Sequence, residues 1–243
     1  MSELFSIQLQ NRQQQGRDGV WLDLPTTTEQ VQAALRQIGI SSDNPQGLFI
    51  SGYFAEEEKR FAISYNMVLA SNVDELNFLA SRLETLSTGE RAELNAALQA
   101  PQSELFSIGR ITDFPENVDY YVHLPDVHGP AQLGDYYLNR SGMVNMPEEW
   151  KGGIDTAQFG RYVAQQEQGV FTEYGYLVKS GDVWQKVYEG QPVPEEYRVL
   201  SFPAPEVMRD AANIPPPVQP EKEPQKVIPI ILNGKDSVER MNC

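Results

Sequence analysis

The imidazoles of this 243-residue chain number two, His123 and His128, with Asp126 between them. A His-x₄-His pair beside a carboxylate is a donor set that zinc accepts. Here the pair falls on a strand end and a loop, not at an i, i+4 helical spacing, and the single cysteine, Cys243, is too remote in sequence to join it. The plainer reading is two histidines without a shared ligand, so no metal or cofactor is expected. Other chemistries fit less well. "NGKDS" at 233–237 lacks the first glycine of a phosphate-binding loop, and neither a strand–Gly-x-Gly-x-x-Gly–helix unit nor a Gly-x-Ser-x-Gly elbow occurs. A paired-acid hydrolase needs two carboxyl groups about 5–9 Å apart in a cleft. The acids here are spread over many segments and patterned outward. Glu56-Glu57-Glu58 lacks the spacing of a calcium loop.

Charge is the more informative property. The net is −15, and residues 18–200 hold all of it, with 27 Asp and Glu against 12 Lys and Arg. Residues 111–139 contain five acids and no Lys or Arg. Such a surface repels nucleic acid and anionic lipid and attracts basic partners, although many soluble proteins are simply acidic. Neither direct nucleic-acid binding nor membrane association is therefore expected. Tyrosines interleaved with the acids, such as Tyr120, Tyr121, Tyr136 and Tyr137, would stack on bases only in a positive setting. They read instead as core and interface residues.

No run of eighteen apolar residues is present, so no membrane-spanning helix is expected. The first fifteen residues lack the basic start and apolar run of a secretory signal. With one cysteine, no intrachain disulfide can form, which fits a reducing, cytoplasmic setting.

These acids need elements to present them. Residues 3–11 and 19–24 alternate as half-buried strands do. A helix follows, with Thr26 and Glu29 as its capping box, Val31, Ala34, Leu35 and Ile38 on one face, and Gly39 at its end. "LFISGYF" and "FAISY" read as strands. Residues 70–100 predict a helical hairpin, the first helix capped by Ser71 or Asn72 and the second by a Ser87–Glu90 box. Beyond it, strands are predicted at "LFSIGRI" and "DYYVHL", then a helix opened by Pro130 and another capped by Asp155. A final hairpin pairs "VFTEYGYLV" with "VWQKVY" across "KSGD". From Pro203 the chain is proline-rich, a linker composition, and the apolar "KVIPIIL" after it suggests a further region beyond. "SELFSI" occurs at both 2–7 and 103–108. Leu-Pro recurs at 24–25 and 124–125, and closing glycines at Gly39 and Gly142, which suggests two related strand–strand–helix units.

Several segments, in order, resemble the ArdA antirestriction proteins of plasmids and conjugative elements. They are "GVWLDLP" with its helix, "VDELNFLASRLETLSTGERAELNAAL", "QLGDYYLNRSG", "MPEEWKGGIDTAQFGRYV", "FTEYGYLV" and "PEEYRVL", together spanning about 3–202. The chain departs from the family's usual Tyr-Glu-Ala-Tyr-Gly-Arg-Asp at Thr156, Gln158, Phe159 and Tyr162, losing two acids. The resemblance implies an α+β fold drawn out as an elongated array of three small domains. These would be residues 1–67, the helical 68–103 and the α+β 104–202, followed by a tail at 203–243.

It further implies a non-catalytic homodimer in the bacterial cytoplasm, whose carboxylates imitate the phosphates of B-form DNA. The partner implied is a type I restriction–modification enzyme, engaged at its DNA-binding groove. The spacing is physically compatible. Phosphates recur about every 3.4 Å along a strand, and acids at i, i+3 and i+4 on a helix recur at about 5–6 Å. The candidate carboxylates are Asp23, Glu29, Asp43, Glu56, Glu57, Glu58, Asp74, Glu75, Glu84, Glu90 and Glu93, then Asp113, Glu116, Asp119, Asp126, Asp135, Glu148, Glu149 and Asp155. The alternatives are an acidic adaptor of a larger mobile-element protein and, more remotely, a carboxylate hydrolase.

Overall fold

In the computed structural model, residues 3–14, 18–41, 46–101 and 103–200 are described. Asp43, the proline-rich tail and "NGKDS" lie outside them. The fold is mixed α+β, and it divides into two compact units, one of residues 3–119 with 183–200 and one of 120–182.

The first unit opens with strands β1 (Phe5–Asn11) and β2 (Val20–Leu24), then helix α1 (Thr28–Gln37) and strand β3 (Leu48–Phe54). They form an antiparallel sheet of order β2-β1-β3, with Phe5 opposite Leu24 and Leu9 opposite Val20. Alternation puts Phe5, Ile7, Leu9, Leu22, Leu24 and Ile50 inside, where they meet Val31, Ala34 and Leu35 of α1. The capping box lies one residue later than the pattern predicts, on Thr27 and Gln30. The buried Thr26 instead donates its N–H to Asn77 Oδ1 at 2.7 Å.

The segment "FAISY" is not a strand. Phe61 and Ile63 are buried without ladder partners, and Tyr65–Leu69 begins the short helix α2. Helices α3 (Val73–Glu84) and α4 (Thr88–Gln99) stand where the pattern predicts two helices, each opened by a complete capping box, Asn72 with Glu75 and Ser87 with Glu90. Leu76, Leu79 and Leu83 of α3 and Leu94 of α4 are fully buried.

The second "SELFSI" does not repeat the first. In place of a strand, Ser107 caps the short helix α5 (Ile108–Thr112) by accepting the Arg110 N–H at 3.2 Å. The two copies diverge because the first continues in alternation, Gln8-Leu9-Gln10, whereas the second runs into Gly109-Arg110 and buries Ile108 and Ile111 one turn apart. The later half of the repeat does hold. Each Leu-Pro joins a strand to a helix, and Gly39 and Gly142 both take left-handed backbone, φ 69° and 70°.

The second unit contains β4 (Tyr121–Leu124), α6 (Pro130–Asp135) continuing into a π-helical turn (Tyr136–Arg140), α7 (Glu148–Lys151), α8 (Thr156–Glu167), β5 (Val170–Thr172) and β6 (Gly175–Lys179). The sheet order is β4-β6-β5, antiparallel. The hairpin turns at Glu173-Tyr174, not at "KSGD", because Gly175 with φ 120° carries the reversal. "VWQKVY" pairs with no strand and belongs to the first unit. Val127, Leu133 and Tyr176 form the core, covered by Tyr136, Tyr137, Val163 and Phe171.

Candidate functional site

The candidate acids separate into two groups by what surrounds them. Asp23, Glu29, Glu56, Glu57, Glu75, Glu116, Asp119, Asp126, Glu148, Glu149 and Asp155 are exposed. Several are fixed in place by local bonds. Asp23 accepts the Ser6 hydroxyl across the β1–β2 pair at 2.6 Å. Glu29 sits in the first turn of α1, where backbone amide donation and then the Thr27 hydroxyl hold its carboxyl below the usual range. Asp155 caps α8 by accepting the Gln158 N–H at 3.0 Å.

Asp74, Glu84, Glu90, Glu93 and Asp135 are half-buried, and Asp113 is buried. Asp135 accepts from the Asn139 amide at 2.8 Å and pairs with Arg140 at 3.1 Å. Glu84 is half-buried, and Glu58 lies in the 3₁₀ turn Glu57–Lys59. Glu90 is held below the carboxylate range chiefly by the Ser87 hydroxyl. Three residues on, Glu93 goes the other way. Burial, then the neighbouring charges of Glu90 and Asp119, push it up to about 8, and its Oε1 is enclosed without a hydrogen-bond partner. At neutral pH it therefore carries little charge.

Asp113 corrects the outward reading of residues 111–139. It is completely buried, and its two carboxylate oxygens accept the N–H groups of Tyr188 at 2.6 Å and Glu189 at 3.2 Å. Asp74 is likewise engaged, taking the N–H groups of Val199 and Leu200 on one oxygen at 2.7 and 2.8 Å. These two are structural carboxylates that hold the chain together; in both, burial outweighs the amide bonds and raises the pKa.

Most cations of the fold are already committed. Arg82 pairs with Glu116, Arg110 bridges Glu104 and Glu189 at 3.0 Å each, Lys59 pairs with Glu56 at 3.0 Å, and Lys151 with Glu148 at 2.7 Å. Arg91 donates to the carbonyls of Leu86 and Leu83 at the end of α3. Exposed acids outside these pairs, Glu75, Asp119, Asp126 and Glu149 among them, carry a large share of the negative excess of residues 18–200.

Sequence reasoning passed over Glu167, Glu195 and Glu196. Glu167 ends α8 and accepts both the Tyr137 hydroxyl at 2.5 Å and the Tyr176 hydroxyl at 3.1 Å, raising both phenol pKa values after burial. Its signal was the helical spacing from Gly160 and Val163, which places it on the inward face. Glu195 and Glu196 are exposed beside the Asp74 contact.

The histidines do not converge on a shared site. His123 Nε2 bonds the Tyr174 carbonyl at 2.7 Å, while His128 is exposed and donates its backbone N–H to Gln132. Among the described residues no group of three His, Cys, Asp or Glu stands at metal-holding distance. No described helix is long and apolar enough to cross a membrane. A shallow depression lined by Ile154, Asp155, Gln158, Phe159 and Tyr162 borders α8, with Trp150 and Met143 exposed in the same unit.

An acidic α+β protein most of whose bases are paired internally and many of whose carboxylates face outward is the class these features define. A family model described as antirestriction protein (ArdA) matches residues 15–178, and the chain belongs to that family of antirestriction proteins. A search of curated proteins finds no match.

Two of the segments that carry the resemblance acquire a physical meaning here. "LGDYY" and "FGRY" supply Gly134 and Gly160, where α6 and α8 cross. The departures Thr156, Gln158, Phe159 and Tyr162 lie on α8, and Tyr162 is half exposed.

Proposed function

We propose that this protein blocks restriction by presenting its exposed carboxylates in place of DNA phosphates to the DNA-binding groove of a type I restriction–modification enzyme, as a non-catalytic homodimer. The observation that carries the reading is the location of the charge. The whole −15 lies in residues 18–200, and most of the basic side chains there are already paired with acids or carbonyls. A groove evolved for the phosphate backbone binds largely through nonspecific electrostatics, so fixed carboxylates at comparable spacing compete for it without presenting bases.

On this reading Asp119, Asp126, Glu148, Glu149 and Glu75 contribute contacts, whereas Asp74, Asp113 and Glu93 do not. The test is a titration of the protein against a type I enzyme bound to labelled DNA at low and high salt. Stoichiometric displacement that weakens as salt rises supports mimicry. A folded, dimeric protein that displaces nothing at either salt transfers the assignment to an acidic adaptor.

A further inference from the structure

Residues 183–200 have one turn of 3₁₀ helix, Glu195–Tyr197, and no strand or α-helix. They are nonetheless gripped along their length, largely on main chain, with Arg110 adding a side-chain bond to Glu189 at 3.0 Å. Asn117 donates its Nδ2 to the Gln185 carbonyl at 3.0 Å and accepts the Gln185 N–H on Oδ1 at 2.7 Å, so a single amide reads both backbone groups of one residue. Asp113 takes two successive N–H groups at 188 and 189, Asn77 Nδ2 donates to the Tyr197 carbonyl at 2.9 Å, and Asp74 takes the N–H groups at 199 and 200. Phe78 lies between two anchors, with the Tyr188 and Tyr197 rings 4.9 and 4.6 Å from its own.

Main-chain hydrogen bonds for affinity with side-chain pockets for anchors are the means by which grooves bind extended peptides. Every gripping residue lies within the family match of 15–178, and the gripped segment lies beyond it. Its first residue, Val183, is 87% exposed, and the next, Trp184, is half-buried with Arg110 5.8 Å from its ring.

We propose that residues 183–200 are a strap, docked as an intramolecular peptide ligand in a main-chain-reading groove along α3 and α5, that leaves and returns without unfolding of the helices beneath. Departure bares the carboxylates of Asp74 and Asp113 beside Glu75 and Glu116. Resting on the mimicry reading, the strap also sets how much anionic surface the protein offers.

Native-state hydrogen exchange on the full chain tests the docking independently of restriction. The amides at 188, 189, 199 and 200 should exchange through a partial opening, roughly tenfold or more faster than those of α4, as low-stability segments do. Asn117→Ala should accelerate them by roughly another tenfold, the worth of about 1.4 kcal/mol of hydrogen bonding, with α4 unchanged. In a second arm, full-length Tyr188→Ala/Tyr197→Ala, whose own strap has lost its anchors, is titrated with a labelled peptide of residues 183–200. Saturable binding in the micromolar range is expected. Strap amides that exchange in step with α4, or an anchorless variant that binds no peptide, would overturn the proposal and make the segment an integral part of the core. Displacement of DNA from a restriction enzyme plays no part in either arm, so a failure of mimicry leaves this result readable.

Discussion

Gly134 of α6 and Gly160 of α8 face each other across a helix crossing with no side chain between the backbones. A methyl group on Gly134 would overlap the Thr156 carbonyl, and one on Gly160 would overlap the Pro130 carbonyl. In both cases the obstacle is backbone, which cannot rotate aside. The crossing brings Tyr137 to Glu167 and thereby fixes the core of the 120–182 unit. Gly134→Ala and Gly160→Ala should each cost about 2–4 kcal/mol or prevent that unit from folding, the range for overpacking and backbone displacement. Gly152→Ala, at a position with open space, should stay within about 0.5 kcal/mol. Denaturant melts of the three variants decide it, and equal stabilities would refute the crossing.

Asp113 and Asp126 are both acids of the base-free stretch, and the structure separates their roles. Asp113→Ala leaves two half-buried N–H groups without their acceptor and should destabilise by about 1–3 kcal/mol. Asp126→Ala, fully outside, should leave stability within about 0.5 kcal/mol. Melting curves in which Asp126 mattered more than Asp113 would contradict the assignment.

The contrast shows what the sequence could and could not display. Helices α3 and α4 were legible, because capping boxes and apolar residues at i, i+3 and i+4 are local signals. Helix α5 was not. At five residues it is too short for periodicity, and the letters that lead into it, "SELFSI", are the ones that lead into and open strand β1. Asp113 read as an outward carboxylate because the amides it binds arrive 75 residues later. The strap was invisible for the same reason, since main-chain recognition leaves no pattern in its side chains. The exposed acids, by contrast, follow from composition, because carboxylates with no nearby base stay in water unless something specific buries them.

Glu93 makes stability depend on pH with a definite sign. Its carboxyl is raised in the fold to about 8, above the unfolded value near 4.5. Its contribution is therefore fully present below about pH 4.5 and is lost as pH rises through 8. Glu93→Gln keeps the shape without the charge. It should flatten the fall in stability between pH 5 and 8.5 and, after allowance for solvent screening, stabilise by roughly 1–2 kcal/mol at pH 8.5. Thermal melts across that range test this; a variant that parallels the parent at every pH would refute the enclosed carboxyl.

Unpaired acids at this density repel one another at low ionic strength. Raising salt from about 20 mM to about 500 mM, which shortens the Debye length from roughly 20 Å to roughly 4 Å, should raise the melting temperature by a few degrees. A melting temperature that is flat or falling with salt would argue against dense unpaired surface acids.

The most direct measurement of the central claim is a graded series. Exposed acids, Glu75, Asp119, Asp126, Glu148 and Glu149, are converted to their amides singly and in increasing combination. Each folded variant is then titrated against a type I enzyme bound to DNA. Mimicry predicts a stepwise loss of displacement, each charge contributing a modest and similar share, with the slope of affinity on salt shrinking as acids are removed. Complete loss from one substitution, or undiminished displacement by the fully neutralised variant, would contradict it.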